Sequence, residues 1–94
     1  NRMETKGYYA KSFYNTTDTM QTEKKAKALF PIQVMPTPRA ISQSCGLALR
    51  FEGEDEEAYL EFARQQPVPL GLYLIEPDEN GELRARAIFC REPS

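Results

Sequence analysis

The order of predicted elements indicates an α+β domain: a ferredoxin-like split β-α-β sandwich, with an antiparallel sheet, two helices on one face and an added C-terminal hairpin strand. Three observations lead to this prediction. The 94 residues suffice for one small two-layer domain. Segments with strand and helix patterns follow one another as strand, helix, strand, strand, helix, strand. A turn segment near the C-terminus then predicts a hairpin. We expect residues 1–7 to be an N-terminal tail and residues 8–92 to form the domain.

The N-terminal half predicts a strand, a helix and a second strand. Residues 8–14 are rich in aromatic side chains, and their imperfect alternation suits an inner strand. The N-cap residues of 15–18 precede a helix that runs to about Phe30 and ends before Pro31. Its apolar candidates are Met20, Ala26, Leu29 and Phe30. Residues 31–36 predict the second strand.

The C-terminal half predicts a strand, a helix and a hairpin. Residues 46–52 alternate as the third strand, and acidic residues 54–57 begin a helix that ends near Gln66. Carboxylates in a first turn complement the helix dipole, which we prefer to a metal site. The expected buried stripe of this helix is Ala58, Tyr59, Phe62 and Ala63. Residues 70–75 and 83–90 form the hairpin strands, with Phe89 expected on one face and Ile88 and Cys90 on the other.

Composition excludes several classes of function. Residues 1–50 carry eight Lys and Arg against three Asp and Glu, and residues 51–94 carry four against eleven. The formal net charge of −2 argues against a nucleic-acid partner, and no apolar run is long enough for a membrane span. The sequence has no histidine, which excludes a Ser-His-Asp triad, a Cys-His dyad and His-based metal sites. We expect no metal and no cofactor.

The two cysteines predict a reducing, cytoplasmic compartment. Cys45 and Cys90 match neither a zinc signature nor a CxxC redox pair, and two cysteines are too few for a disulfide scaffold. Cys90 falls within a predicted strand, where we interpret it as a structural, inert cysteine.

The residues around Cys45 carry the chemistry that the sequence offers. The stretch from Thr37 to Arg50 places this cysteine between two arginines, at the junction of a loop and a strand. Nearby positive charge lowers the pKa of a thiol, and hydroxyls can donate hydrogen bonds to a thiolate or a bound anion. The candidate anion-binding residues are Arg39, Ser42, Ser44 and Arg50, and the candidate turn-shaping residues are Thr37, Pro38 and Gly46. A cysteine that is merely a small buried side chain is the alternative at this position.

The same stretch resembles the signature of a known family. Thr37-Pro38-Arg39, Ile41-Ser42, Ser44-Cys45-Gly46 and Ala48-Leu49-Arg50 are similar to the motif of the selenium/sulfur carrier protein-like family of small bacterial proteins. A looser resemblance extends back through the first strand and helix, and forward to the second helix. The hairpin from Leu70 onward is not recognised as part of the pattern.

The resemblance implies a carrier rather than a stand-alone enzyme. Cys45 would hold sulfur or selenium as a persulfide or selenopersulfide, which needs an accessible thiolate and no cofactor. The implied partners are a sulfur or selenium donor, such as a cysteine desulfurase, and an acceptor protein of unknown identity. Arg39 and Arg50 would stabilise the thiolate or persulfide, with Ser42 and Ser44 as hydrogen-bond donors.

Two other interpretations stay open. In the first, Arg39, Ser42, Ser44 and Arg50 bind a small anion or a partner's carboxylate without covalent chemistry. In the second, the chain is a structural subunit that forms a homodimer through the edges of its sheet, and the motif only sets the geometry of a turn.

Overall fold

The computed structural model describes residues 7–41 and 46–92. This part of the chain forms an α+β fold with two helices and a five-stranded antiparallel sheet. The elements are β1 (Tyr8–Phe13), α1 (Thr16–Lys27), β2 (Ile32–Pro36), β3 (Leu47–Phe51), α2 (Glu56–Gln65), β4 (Leu70–Pro77) and β5 (Leu83–Arg91). Their types and their order agree with those expected from the sequence.

The sheet has the strand order β2-β3-β1-β4-β5, and each neighbouring pair is antiparallel. β1 therefore lies in the middle, where Ala10 is opposite Arg50 on β3 and Tyr73 on β4. The prediction of an inner first strand is confirmed. β2 and β3 form a hairpin whose connection carries the cysteine motif, since Pro36 at the end of β2 pairs with Leu47 at the start of β3.

The core lies between α2 and one face of the sheet. Tyr59, Phe62 and Ala63 of α2 are buried, as expected, whereas Ala58 is half-buried. The ring of Tyr59 stacks on Phe51 of β3 at a centroid distance of 4.1 Å. Burying each large apolar side chain contributes about 1.5–3 kcal/mol, so this aromatic cluster anchors α2.

Both helices begin at a side-chain cap. The carboxamide of Asn15 accepts the N–H of Asp18 at 2.8 Å, and the carboxylate of Asp55 accepts the N–H of Ala58 at 3.1 Å. Each cap satisfies an N–H that has no partner within its helix, which typically contributes about 1 kcal/mol. At the other end of α2, the Arg91 guanidinium donates to the carbonyls of Arg64 and Gln66 and so ties the helix to β5.

Helix α1 is shorter than predicted. It ends at Lys27: the Leu29 N–H bonds to the carbonyl of Ala26 three positions back, which tightens the last turn, and Pro31 has no N–H to continue the helix. The prediction is wrong for two of the expected apolar residues, since Met20 is 41% exposed and Leu29 is 64% exposed. The buried residues of the helix are Thr19, Thr22 and Ala26. Phe30 packs after the helix has ended, edge-on against Phe51, Tyr59 and Phe62.

Strand β5 does not keep the simple alternation predicted for it. Leu72 pairs with Phe89 but Tyr73 pairs with Ala87, so Ile88 is an extra residue in a β-bulge. The bulge lets Ile88 and Phe89 both pack against the core, although the sequence pattern placed them on opposite faces.

Candidate functional site

The cysteine motif occupies the connection between β2 and β3. Its described residues are those from Thr37 to Ile41 and from Gly46 onward. Cys45, Ser42 and Ser44, which are the predicted thiol and the two predicted hydroxyl donors, lie outside the described residues.

The base of the loop is closed by one backbone hydrogen bond. The N–H of Thr37 donates to the carbonyl of Gly46 at 3.2 Å, one position beyond the last pair of the β2–β3 ladder. Pro38 follows with a fixed φ, and its carbonyl accepts the N–H of Ile41 at 3.0 Å. The three residues predicted to shape the turn thus lie at its base.

The described residues leave the space around Gly46 open. Among them, a Cβ atom added there would meet only the Thr16 hydroxyl, at 4.0 Å. No steric conflict with the described residues therefore requires glycine at this position, and the missing side chain leaves room beside the backbone that leads directly to Cys45.

The hydroxyl of Thr37 has no hydrogen-bond partner among residues 7–41 and 46–92. Its Oγ1 atom is buried, although the residue itself is only partly buried. A buried hydroxyl that makes no hydrogen bond costs about 1–3 kcal/mol, so such groups usually have a structural or functional reason. This one lies at the point where the chain leaves β2 for the motif loop.

The structure separates the two candidate arginines. Arg39 is exposed in the loop, two residues after Thr37. Arg50 lies four residues along β3 from Gly46, a distance of about 13 Å for an extended strand. Its guanidinium lies 4.2 Å from the centre of the Tyr8 ring, in a cation–π contact. Arg39 therefore lies in the loop, whereas Arg50 lies in the body of the sheet.

Cys90 lies on a different part of the sheet. It is an exposed free thiol on β5, opposite Gly71 of β4, and its Sγ donates to the Tyr73 hydroxyl at 3.8 Å. Burial and this contact raise the pKa of Tyr73 to about 12, so the phenol stays protonated. Three strand spacings, about 14 Å, separate β5 from β3, and Cys90 therefore belongs to another region than the motif.

Sequence reasoning missed two polar residues of the core. Lys11 is fully buried on β1, and Tyr9 on the same strand donates to the Glu56 carboxylate at 2.7 Å. Burial and this hydrogen bond raise the pKa of Tyr9 to about 12. The alternation of Tyr9, Lys11 and Phe13 along β1 is the signal that could have placed Lys11 on the core face.

The described residues contain neither a metal-binding cluster nor a membrane-spanning helix. Among residues 7–41 and 46–92, no group of three His, Cys, Asp or Glu side chains could hold a metal ion. Neither helix of this described part is long and apolar enough to cross a membrane.

Comparison with known proteins identifies the family. The family model described as "Putative Se/S carrier protein-like" matches residues 8–73 of the 94. The chain belongs to this family. The match runs from the start of β1 into β4, so it includes both helices and the complete cysteine motif. The resemblance seen in the sequence is thereby confirmed, and β5 lies beyond the match. No curated protein and no solved structure matches the chain.

Proposed function

We propose that this protein carries sulfur or selenium as a persulfide or selenopersulfide on Cys45. The observation that carries the proposal is the family match over residues 8–73, which contains the whole motif. The position of the motif supports it, because a hairpin loop next to the open space at Gly46 suits a thiol that must reach two partner proteins in turn.

The loading step is a thiol exchange that needs no external oxidant or reductant. The Cys45 thiolate attacks the terminal sulfur of a persulfide on a donor such as a cysteine desulfurase. A new S–S bond forms to Cys45 Sγ, the S–S bond of the donor breaks, and the donor cysteine leaves as a thiolate. Transfer to the acceptor repeats the exchange, and a selenopersulfide would follow the same course. A cytoplasmic location, which keeps thiols reduced, fits this chemistry.

The proposed roles of Arg39, Arg50 and Thr37 rest on where they lie in the fold, and those of Ser42 and Ser44 rest on the sequence motif. Arg39 lies in the described part of the loop that contains Cys45, and it stabilises the thiolate and the loaded form electrostatically. Arg50 acts more weakly, because the Tyr8 ring contacts its guanidinium and because it lies about 13 Å along β3 from Gly46, at the base of the loop, which exceeds the screening length of about 10 Å at 0.1 M salt. Ser42 and Ser44 donate hydrogen bonds, and the free hydroxyl of Thr37 is a third donor.

Intact mass spectrometry tests the carrier function. The reduced protein is incubated with a cysteine desulfurase and cysteine, and Cys45→Ser is compared with the matched variant Cys90→Ser. We expect a reducible gain of one sulfur atom that requires Cys45 and persists without Cys90. Loading that survives in Cys45→Ser would exclude Cys45 as the carrier residue, and the same assay with a selenium donor compares the two cargoes.

A non-covalent anion site is the second candidate function. The Thr37 hydroxyl, which has no partner among the described residues, precedes the exposed Arg39 by two positions in the same loop, and a bound phosphate or carboxylate could use both groups. In that case phosphate or sulfate raises the Tm of the wild type and of Cys45→Ser equally, and no sulfur adduct forms. An adduct without any anion effect would contradict this candidate.

We also propose that the first four strands and both helices form the ferredoxin-like split arrangement. The order β2-β3-β1-β4 supports it, because α1 and α2 each connect two strands that have one strand between them. The decisive measurement is the face on which α1 lies. Nuclear Overhauser contacts from Ala26 to Phe62 would place α1 beside α2, whereas contacts from Ala26 to Ala48 would place it on the other face.

A further inference from the structure

Lys11 is a lysine at the centre of the core. It lies on β1, the middle strand, where it is opposite Leu49 on β3 and Leu72 on β4. It is among the largest of the fully buried side chains of the described chain, with a relative exposure of 0%. Lysine is almost never fully buried without a charged partner, because its ammonium group loses its hydration.

The amine of Lys11 lies among aromatic rings. Its Nζ is 3.9 Å from the ring centre of Phe62 on α2 and 5.6 Å from that of Phe51 on β3. Within the described part of the chain, this buried nitrogen has no hydrogen-bond partner. An ammonium has three donors to satisfy, and each ring face contributes only about 0.5–2 kcal/mol. The desolvation of an ion costs several kcal/mol, so the neutral amine is the better occupant of this position.

The neighbouring elements bring no compensating charge to Lys11. The ionisable groups of these elements lie in other contacts or at exposed positions: Tyr8 and Tyr9 on β1, Asp18, Glu23, Lys24, Lys25 and Lys27 on α1, Arg50 on β3, Glu56, Glu57, Tyr59, Glu61 and Arg64 on α2, Tyr73 and Glu76 on β4, and Arg84, Arg86, Cys90 and Arg91 on β5. Burial alone lowers the pKa of Lys11, from 10.5 to about 7.

We propose that Lys11 makes the packing of α2 on the sheet depend on proton concentration near neutral pH. A neutral amine lets Phe62 lie directly over β1. Protonation puts an unpaired cation between the rings of Phe51 and Phe62 and loosens α2, so that the ammonium reaches water. This inference does not depend on the carrier function.

The direction of the pH dependence follows from linkage. The folded state releases the Lys11 proton more readily than the unfolded state, so the unfolded state binds more protons between about pH 7 and 10.5. The free energy of unfolding therefore rises with pH across this interval. Below the folded-state pKa, the stability that the neutral amine allows at high pH has been lost completely. Between pH 6 and 9 the unfolding equilibrium constant should fall on the order of 100-fold.

The composition of the chain makes this interval easy to interpret. With no histidine in the sequence, the other groups that ordinarily titrate between pH 6 and 9 are the two cysteines and the terminal amine. Replacing both cysteines with serine removes the first two. The terminal amine is common to all variants and cancels in a comparison.

Urea unfolding of the Cys45→Ser/Cys90→Ser protein from pH 6 to 9 tests the proposal, with and without Lys11→Met. Methionine is a neutral side chain of similar length. We expect the midpoint of the parent to rise with pH, and that of Lys11→Met to be higher at pH 6 and nearly constant. Equal pH dependence in the two proteins would overturn the proposal.

Two measurements on the parent keep the proposal testable if Lys11→Met does not fold. An NMR titration of the Lys11 Cε shift should have its midpoint near pH 7, and a midpoint above pH 9 would refute a neutral amine. Hydrogen-exchange protection factors of Tyr59, Phe62 and Ala63 should increase from pH 6 to 8. Unchanged protection over this range would show that α2 does not respond to Lys11.

Discussion

The two hairpin loops of the sheet use their hydrogen-bonding groups in opposite ways. In the β4–β5 loop, the Asp78 carboxylate accepts the N–H groups of Asn80 and Glu82, at 2.8 and 3.0 Å, and the Arg84 Nε at 2.9 Å. The Asp78 N–H donates to the Glu82 carbonyl at 2.8 Å. Gly81 then takes the positive φ of 83° that the turn requires.

The β2–β3 loop leaves polar groups unused in its described part. Thr37 and Gly46 share a backbone hydrogen bond, but the Thr37 hydroxyl has no partner and Arg39 is exposed. A loop whose polar groups bond to one another has no need of a ligand. A loop with a buried unpaired donor near a cation is suited to an anion, and this is the loop that contains Cys45.

The largest expected effect is on the reactivity of Cys45. In a Cys90→Ser background, Arg39→Ala should slow alkylation by iodoacetamide at pH 7 by about 3–10-fold, because a nearby cation lowers the pKa of a thiol. Arg50→Ala should have a smaller effect, and Arg84→Ala, on β5 beside the other loop, should have none. If Arg84→Ala and Arg39→Ala slow the reaction equally, the distinction between the loops is lost.

Asp78→Ala should lower the Tm by several degrees and leave the alkylation rate of Cys45 unchanged. The Arg84 guanidinium and two backbone N–H groups hold the pKa of Asp78 below its ordinary value of 3.8. Its stabilising contribution is therefore present above that value and is lost as the pH falls through the lowered folded-state pKa. Thermal melts at pH 7 and at pH 2–3 check this, since the difference between wild type and variant should shrink in acid. A difference independent of pH would assign the effect to packing instead.

The two loop glycines should respond differently to alanine. Gly81→Ala should destabilise the fold by about 1 kcal/mol, because a left-handed backbone strains any residue with a Cβ, even though the space around Gly81 is open. Gly46→Ala should change the free energy of unfolding by less than about 0.5 kcal/mol, as surface substitutions away from special backbone geometry usually do. Urea denaturation measures both, and equal losses would contradict the assignment of strain to Gly81 alone.

The smallest expected effect concerns Thr37. Thr37→Val removes the hydroxyl and keeps the shape, and should slow alkylation of Cys45 about twofold to threefold with an equal or higher Tm. Thr37→Ser keeps the hydroxyl and should react as the wild type does. A reduced Tm in Thr37→Val with an unchanged alkylation rate would make the hydroxyl a structural group.

Local sequence patterns predicted the helices, strands and turns well, because the residues that begin and end these elements are close together in the chain. Asn15 and Asp55 begin the two helices as N-caps, Pro31 prevents continuation of α1, and residues 78–82 form the expected turn. The motif from Thr37 to Arg50 likewise indicated the family, which the match over residues 8–73 confirms. Each of these signals depends on a few neighbouring residues in the chain.

Features that depend on distant residues were not predictable from those patterns. The bulge at Ile88 exists because Leu72 and Tyr73 on another strand pair with Phe89 and Ala87. The exposure of Met20 and Leu29 depends on where α1 ends and on which elements it packs against. The separation of Arg39 from Arg50 depends on the length of β3, and the position of the Arg50 guanidinium depends on its contact with the Tyr8 ring.

Lys11 shows the difference most clearly. The alternation along β1 indicates its face, but its burial and its missing partner come from Phe51 on β3 and Phe62 on α2, which are 40 and 51 positions away in the chain. A motif can be recognised wherever chemistry is encoded by neighbours in sequence. The state of a buried charge is set by the medium around it, and that medium exists only once the helix and the sheet have packed.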